Sequence, residues 1–322
     1  MEERDVLRSV VGDGRVVILW TRKDGGMKKR LDFWDIILRV MYTFIGTGVV
    51  IGIIIAMRVY VVDQFAIPTD SMRPTLIPGD YVIVNKLIAG ARIYDRLDFK
   101  DGDPLACHRT KGFRKVEHND IVIFNFPINR SKYRIEFKIN YVYGKRCIGL
   151  PGDTVEIRNG YFKNNNYNGI FGVEEEQRRL SETPDSLIAN TVIHAFPFDF
   201  RHYSWTIKEF GPLYVPRKGG QVILDTVNFQ LYRLVIEYET GKRLRMNAQR
   251  QLTLGGEPIT EYIFQGNYYF FCGDQVLNSN DSRYWGFVPE EFIVGVVTRI
   301  TYSRDRESGE FRWDRLLKKV NE

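Results

Sequence analysis

The 322-residue chain has only three cysteines, Cys107, Cys147 and Cys272, and no two of them form a CxxC pair. A scattered, odd-numbered set excludes a disulfide scaffold and a cysteine-held zinc site. Histidine is equally scarce. His108, His118, His194 and His202 fall in no HExxH pattern, so no metal is expected, and no other cofactor is indicated. GxSxG and SxxK are both missing, which removes the common serine-hydrolase and penicillin-binding signatures. Charge of one sign is also lacking: 46 basic and 40 acidic residues leave +6, scattered rather than striped. With no nucleic-acid module signature either, no nucleic-acid partner is expected.

Long apolar runs are rare as well, with one exception. Residues 40–57 (VMYTFIGTGVVIGIIIAM) carry no charge over 18 positions. At 1.5 Å per residue they span roughly 27 Å, close to a bilayer's hydrocarbon core. A buried core helix seldom lacks a polar face over this length. A cleaved signal would start nearer residue 1 and end in a small-x-small site, which Met57-Arg58-Val59-Tyr60 does not offer. The run is therefore read as a retained membrane anchor, with lipid as a partner. Arg22, Lys23, Lys28, Lys29 and Arg30 precede it, so the N-terminus is expected to be cytoplasmic and everything after Val62 outside.

Aromatic residues at 14% and many Val/Ile segments favour a mainly β fold beyond the anchor. In residues 65–86 (FAIPTDSMRPTLIPGDYVIVNK), Ser71 lies between Pro68 and Pro74 and ahead of Pro78. Each proline fixes its own φ and pushes the preceding residue towards extended geometry. Ser71 is thus expected on a stiff loop, where a nucleophile could reach a carbonyl without rearrangement. Residues 81–84, 120–127 and 268–272 read as strands, and so does 293–297. Lys145 falls in an apolar strand (residues 141–149) that ends in Pro151-Gly152-Asp153. Residues 232–237 (YRLVIE) also read as a strand. In the tail, Trp313, Leu316, Leu317 and Val320 share one face if the segment is helical.

Three separated segments then combine: SMRPTL at 71–76, KRCIGLPGD at 145–153 and GDQVLNSNDSRYWG at 273–286. In this order behind an anchor, with DIVIFNFP at 120–127 between them, they closely resemble bacterial type I signal peptidases. These are membrane-bound Ser/Lys proteases that release exported proteins from their signal peptides. The resemblance covers roughly 40–160 and 262–300. It implies a signal-peptidase-like β fold on the outer side of the inner membrane, with one N-terminal span and preprotein signal peptides as substrate. It also implies Ser71 as nucleophile and Lys145 as general base, with Thr69 and the Ser71 backbone as the oxyanion hole. Ser279 would hydrogen-bond the lysine amine, and Asp281 and Arg283 would brace its loop. Substrate would add as a strand beside 65–67 and 141–145, with Ile67, Leu76, Tyr143 and Gly144 shaping its pockets. The chain departs from the family at Gln275-Val276-Leu277, where Asn-Arg-Asp is common, and at Asp70, where glycine is common.

On this reading the chain divides into a cytoplasmic segment (1–35), an anchor (36–62), a catalytic core in two parts (63–159 and 263–304), a β-rich insertion between them (160–262) and an amphipathic tail (305–322). The chemistry also stands without the family. A lysine near its reference pKa of about 10.4 is almost never neutral at pH 7, so it acts as a base only where burial lowers that value. Tyr141, Val142, Tyr143, Ile148 and Leu150 supply apolar surroundings. Two other readings compete. An impaired homologue that only binds preproteins or partners at the membrane is kept open by Gln275-Val276-Leu277. A soluble Ser/Lys self-cleaving regulator would lack the span at 40–57.

Overall fold

The computed structural model describes residues 6–12, 15–21, 31–96, 98, 105–129 and 133–320. It divides into two units, Met1–Arg58 and Val59–Glu322. The first holds a three-stranded antiparallel sheet (Val6–Gly12, Arg15–Thr21 and Leu31–Asp32), followed by helix α1 (Phe33–Ala56). The basic flank at 22–30 lies outside the described residues. The helical span Phe33–Val61 has a mean hydropathy of 2.2 over its most apolar window, none of it buried. Thr43 and Thr47 interrupt its apolar composition without leaving a polar group unmet. Their hydroxyls donate to the carbonyls of Arg39 and Thr43, each at 2.8 Å. The helix is long and apolar enough to cross a membrane.

The second unit is built on a seven-stranded antiparallel sheet. Its strands are β1 (Val62–Ala66), β2 (Asp80–Asn85), β3 (Ile121–Asn125), β4 (Val142–Gly149), β5 (Tyr268–Cys272), β6 (Val288–Pro289) and β7 (Ile293–Ser303). Across the sheet they run β6-β5-β4-β3-β7-β2-β1. Alternation along each strand sorts the side chains into two cores. On β3, Val122 and Phe124 join the larger one, while Ile121 and Ile123 join a smaller one with Met72, Leu76 and Val82. Strand β7 serves both halves, pairing with β3 at its start and β2 beyond, and its register shifts three times. Such bulges bend a strand and let the sheet curl.

Residues 160–262 add short antiparallel pairings, among them Gln221–Ile223 with Glu261–Ile263, and two longer helices. These are α2 (Glu174–Glu182) and α3 (Phe229–Thr240). The strand expected at 232–237 lies inside α3. Its six residues are apolar enough for a buried strand, but the run extends to twelve and buries Phe229, Leu231, Tyr232, Val235 and Ile236. Length decides such an ambiguous run in favour of a helix.

The tail departs from expectation too. Among the described residues beyond Ser303 there is one 3₁₀ turn, Trp313–Arg315, and no α-helix. The chain then runs back along β7, with Val320 N–H donating to Thr298 O at 3.3 Å. Val320 is buried while Trp313 is 74% exposed, so the two share no face. What overrides the helical pattern is Arg315, which is buried against Asp80.

Candidate active site

The loop between β1 and β2 carries Ser71. Its ends are tied by Ile67 N–H to Asp80 O at 2.8 Å and by Gly79 N–H to Ile67 O at 3.1 Å. Within it, Asp70–Met72 form a single 3₁₀ turn. Met72 and Leu76 are buried in the smaller core and pin the loop down. Ser71, beside Met72, stays half-exposed.

Its hydroxyl meets Lys145. The loop folds back over the sheet, so that Lys145 Nζ on β4 is hydrogen-bonded to Ser71 Oγ although β1 and β4 are not neighbours. Lys145 is 3% exposed, and Nζ lies 5.8 Å from the centre of the Tyr143 ring. Burial lowers its pKa to about 8; the charge of Asp281 opposes the shift and that of Arg283 adds to it. An amine at that value is neutral in a useful fraction of molecules near pH 7–8 and can accept a proton. Thr69 Oγ1 lies 3.3 Å from Ser71 Oγ, from an exposed, extended position.

The segment after β5 closes the site from behind. Arg283 grips Asp281 with two bonds, Nε to Oδ1 at 2.8 Å and Nη2 to Oδ2 at 2.7 Å, and neither side chain is exposed. Burial pushes the Asp281 carboxyl up, but the guanidinium overrides it and holds it below the usual range. Asp281 also accepts from Gly273 N–H at 3.0 Å, and Arg283 donates to Val276 O at 2.9 Å. At Gly273 the backbone passes so closely that a Cβ would lie 2.4 Å from Ser71 O. Only glycine fits there. Gln275 N–H then donates to Ser71 O at 3.2 Å.

A profile of the family described as signal peptidase, peptidase S26, matches residues 40–302. The chain belongs to this family. It is accordingly a serine-peptidase hydrolase of the kind that cleaves signal peptides. Signal peptidase I of Buchnera aphidicola subsp. Baizongia pistaciae is 27% identical, over 87% of this chain and 79% of its own length. That of Aquifex aeolicus is 27% identical over 78% and 79% respectively. A crystal structure of a signal peptidase I from Enterococcus faecalis V583 covers 57% of this chain and 97% of its own at 21% identity, with a TM-score of 0.26.

Against the signal peptidase expectations, the structure brings Ser71, Lys145 and Thr69 together and seats Asp281 and Arg283 as a brace. Ser279 is buried beside Gly273, and among the described residues its hydroxyl makes no hydrogen bond to Lys145; it faces the Asp281 carboxylate instead, which it helps hold in its charged form. Leu76 is 0% exposed and lies in the core, so it cannot line an open pocket. Ile67, though only 6% exposed, lines a surface cavity with Ala66, Tyr81 and Arg306. Tyr143 packs against Phe126 and Trp285, with ring centres at 4.8 and 5.5 Å. A Cβ at Gly144 would lie 2.9 Å from Ile123 Cδ1, the far end of a flexible side chain. Of the two departures, Gln275-Val276-Leu277 is held through Val276 O, and Asp70 forms an exposed ion pair with Arg73.

Sequence reasoning missed Arg146 and Asp274. The next residue after the lysine sends Nε and Nη2 to the two carboxylate oxygens of Asp274, both at 2.6 Å, and both side chains are nearly enclosed. Thr75, on the nucleophile loop, donates to Asp274 Oδ2 at 2.5 Å. The signal was a charge of each sign at otherwise apolar, buried positions, Arg146 in KRCIG and Asp274 straight after YYFFCG. Buried charges need partners.

Proposed function

We propose that this is a membrane-anchored endopeptidase in which Ser71 and Lys145 form a nucleophile–base dyad that cuts signal peptides from exported preproteins. The observation that carries the reading is Lys145, 3% exposed, with its amine on Ser71 Oγ and its pKa lowered to about 8. The neutral amine takes the Ser71 proton as Oγ attacks the scissile carbonyl. The resulting tetrahedral oxyanion accepts from the Ser71 backbone N–H and the Thr69 hydroxyl. Collapse passes the proton to the leaving amine and leaves an acyl-enzyme. Water, deprotonated by the same lysine, then releases the new carboxylate and returns Ser71.

Substrate geometry supports the same reading. Strand β3 pairs with β4 over Val142–Arg146, and β5 takes the opposite edge of β4 from Arg146 to Gly149. An extended signal peptide continuing the line of β5 along β4 would bring its carbonyls past Lys145, held by main-chain hydrogen bonds.

The test is the pH profile of kcat/KM on a model preprotein. Because only the neutral amine is active, the rate is expected to climb about tenfold per pH unit and level off near the Lys145 value of about 8. An acid limb centred near 4 or 6 would point to a carboxylate or histidine base and end the lysine assignment. Stability has the same sign. Between about 8 and 10.5 the unfolded chain holds a proton that the folded lysine has released, so stability rises with pH across that window.

For topology, the apolar span Phe33–Val61 and the basic residues at 22–30 favour a cytoplasmic N-terminus and an outer catalytic unit. Protease added to spheroplasts is expected to digest the unit after residue 62 and spare the first 35 residues. An N-terminus cut from outside would reverse the orientation.

A further inference from the structure

The loop bearing Ser71 contains Pro68, Pro74 and Pro78, none of which can donate a backbone hydrogen bond, so several of its carbonyls need donors from elsewhere. Three arginines of the C-terminal segment supply them. Arg306 Nη1 donates to Pro68 O at 3.1 Å and Arg312 Nη1 to Pro78 O at 3.0 Å. Arg315 Nη2 donates to Thr75 O at 2.9 Å. The same guanidinium grips Asp80, at the foot of the loop, through Nε to Oδ1 at 2.8 Å and Nη2 to Oδ2 at 2.5 Å. Asp80 Oδ2 in turn accepts from Ile77 N–H at 2.8 Å. Arg315 therefore ties the exit of the loop to its base, and Val320 adds a side chain to the core that holds Met72. At Gly79 (φ +95°) the loop and the segment approach so closely that a Cβ would lie 1.9 Å from Arg304 O, so the contact is built into the backbone.

We propose that the C-terminal segment, residues 304–320, is a strap that holds the nucleophile loop in register with Lys145, and that Arg315 is its central positioning residue. The proposal rests on the reading of Ser71 as the nucleophile. A strap of this kind acts on the reacting geometry and not on substrate affinity, because none of the three arginines lies in the dyad. Freeing the loop lets Ser71 Oγ wander from the lysine amine, and a displacement near 1 Å is enough to slow chemistry severely.

The test uses the full chain in detergent micelles with a model preprotein. Arg315→Met alone would strand Asp80 as a buried charge, so it is combined with Asp80→Asn, which keeps an acceptor for Ile77. The double variant is expected to lose about tenfold in kcat at unchanged KM, with the acid limb of its pH profile unmoved. Arg315→Lys, which keeps the charge but cannot fork to both Asp80 and Thr75, should fall between the two. A folded double variant with kcat within twofold of the native chain, or one changed only in KM, overturns the strap. Should the double variant not fold, Arg306→Met decides: it is exposed and, having no donor, removes only the Pro68 bond, so about a threefold loss in kcat supports the strap and a native kcat sinks it. Ser71→Ala is run alongside. Cleavage by that variant overturns the nucleophile reading and the strap with it, whereas an inactive Ser71→Ala beside an unaffected double variant sinks the strap alone.

Discussion

Ser71→Ala and Lys145→Ala are each expected to reduce preprotein cleavage by about 10⁴–10⁶-fold, to the limit of detection, while the chain stays folded and membrane-bound. Neither group has a substitute: Ser71 Oγ is the partner of Lys145 Nζ, and the carboxylates nearest the amine are committed to arginines. Because the two act as one unit, their losses should not add, and the double variant should be no worse than either single one. Lys145→Arg separates a base from a mere positive charge. A guanidinium keeps the charge but cannot be deprotonated at working pH, so this variant should be as inactive as Lys145→Ala. Circular dichroism and the melting temperature check the fold of each variant. Near-native cleavage by Ser71→Ala or by Lys145→Arg would end the dyad.

Features written in local chemistry were legible in the sequence. Uncharged 40–57 became the apolar helix, and the Val, Ile and Phe runs at 81–84, 121–125 and 268–272 became β2, β3 and β5. Ser71 and Lys145 could be singled out because a proline-bracketed serine and a lysine in an apolar strand are chemically conspicuous, and the order of the flanking motifs linked them. Features set by long-range pairing were not legible. Nothing near Arg315 shows that its partner is Asp80, and that partnership is what replaces the amphipathic helix expected in the tail. Arg146 and Asp274 are 128 positions apart, and each looks like an isolated surface charge until the strands meet. Residues 232–237 failed for a different reason: a short run with four apolar or aromatic residues out of six fits a buried strand and a buried helix equally, and only the flanks out to Phe229 and Thr240 decide. The pocket residues were harder to sort, because an apolar side chain near the nucleophile can face substrate or core: Leu76 faces the core, whereas Ile67 lines a surface cavity.

Thr69→Val is expected to lower kcat by about 10²–10³-fold with little change in KM, the loss typical of removing one oxyanion donor. The expectation follows from position. Thr69 is extended and exposed two residues before Ser71, and its hydroxyl is 3.3 Å from Ser71 Oγ, so a small rotation would aim it at an oxygen bonded to the attacked carbon. Being exposed, the substitution should cost less than about 0.5 kcal/mol of stability, so a large kinetic loss cannot be assigned to unfolding. Thr69→Ser keeps the donor and should restore most of the rate. A purely orienting role, in which Thr69 only sets the Ser71 rotamer, also predicts a slower variant, and the two roles part on an inhibitor. A peptide aldehyde forms a tetrahedral adduct on Ser71 that carries the oxyanion. If Thr69 donates to that oxygen, Thr69→Val should weaken the aldehyde by the same factor by which it lowers kcat/KM, because transition-state mimics track transition-state binding. Aldehyde affinity that stays constant while kcat falls would leave Thr69 orienting the nucleophile. A kcat within threefold of native would remove it from the chemistry and leave the Ser71 backbone N–H as the donor of the oxyanion hole.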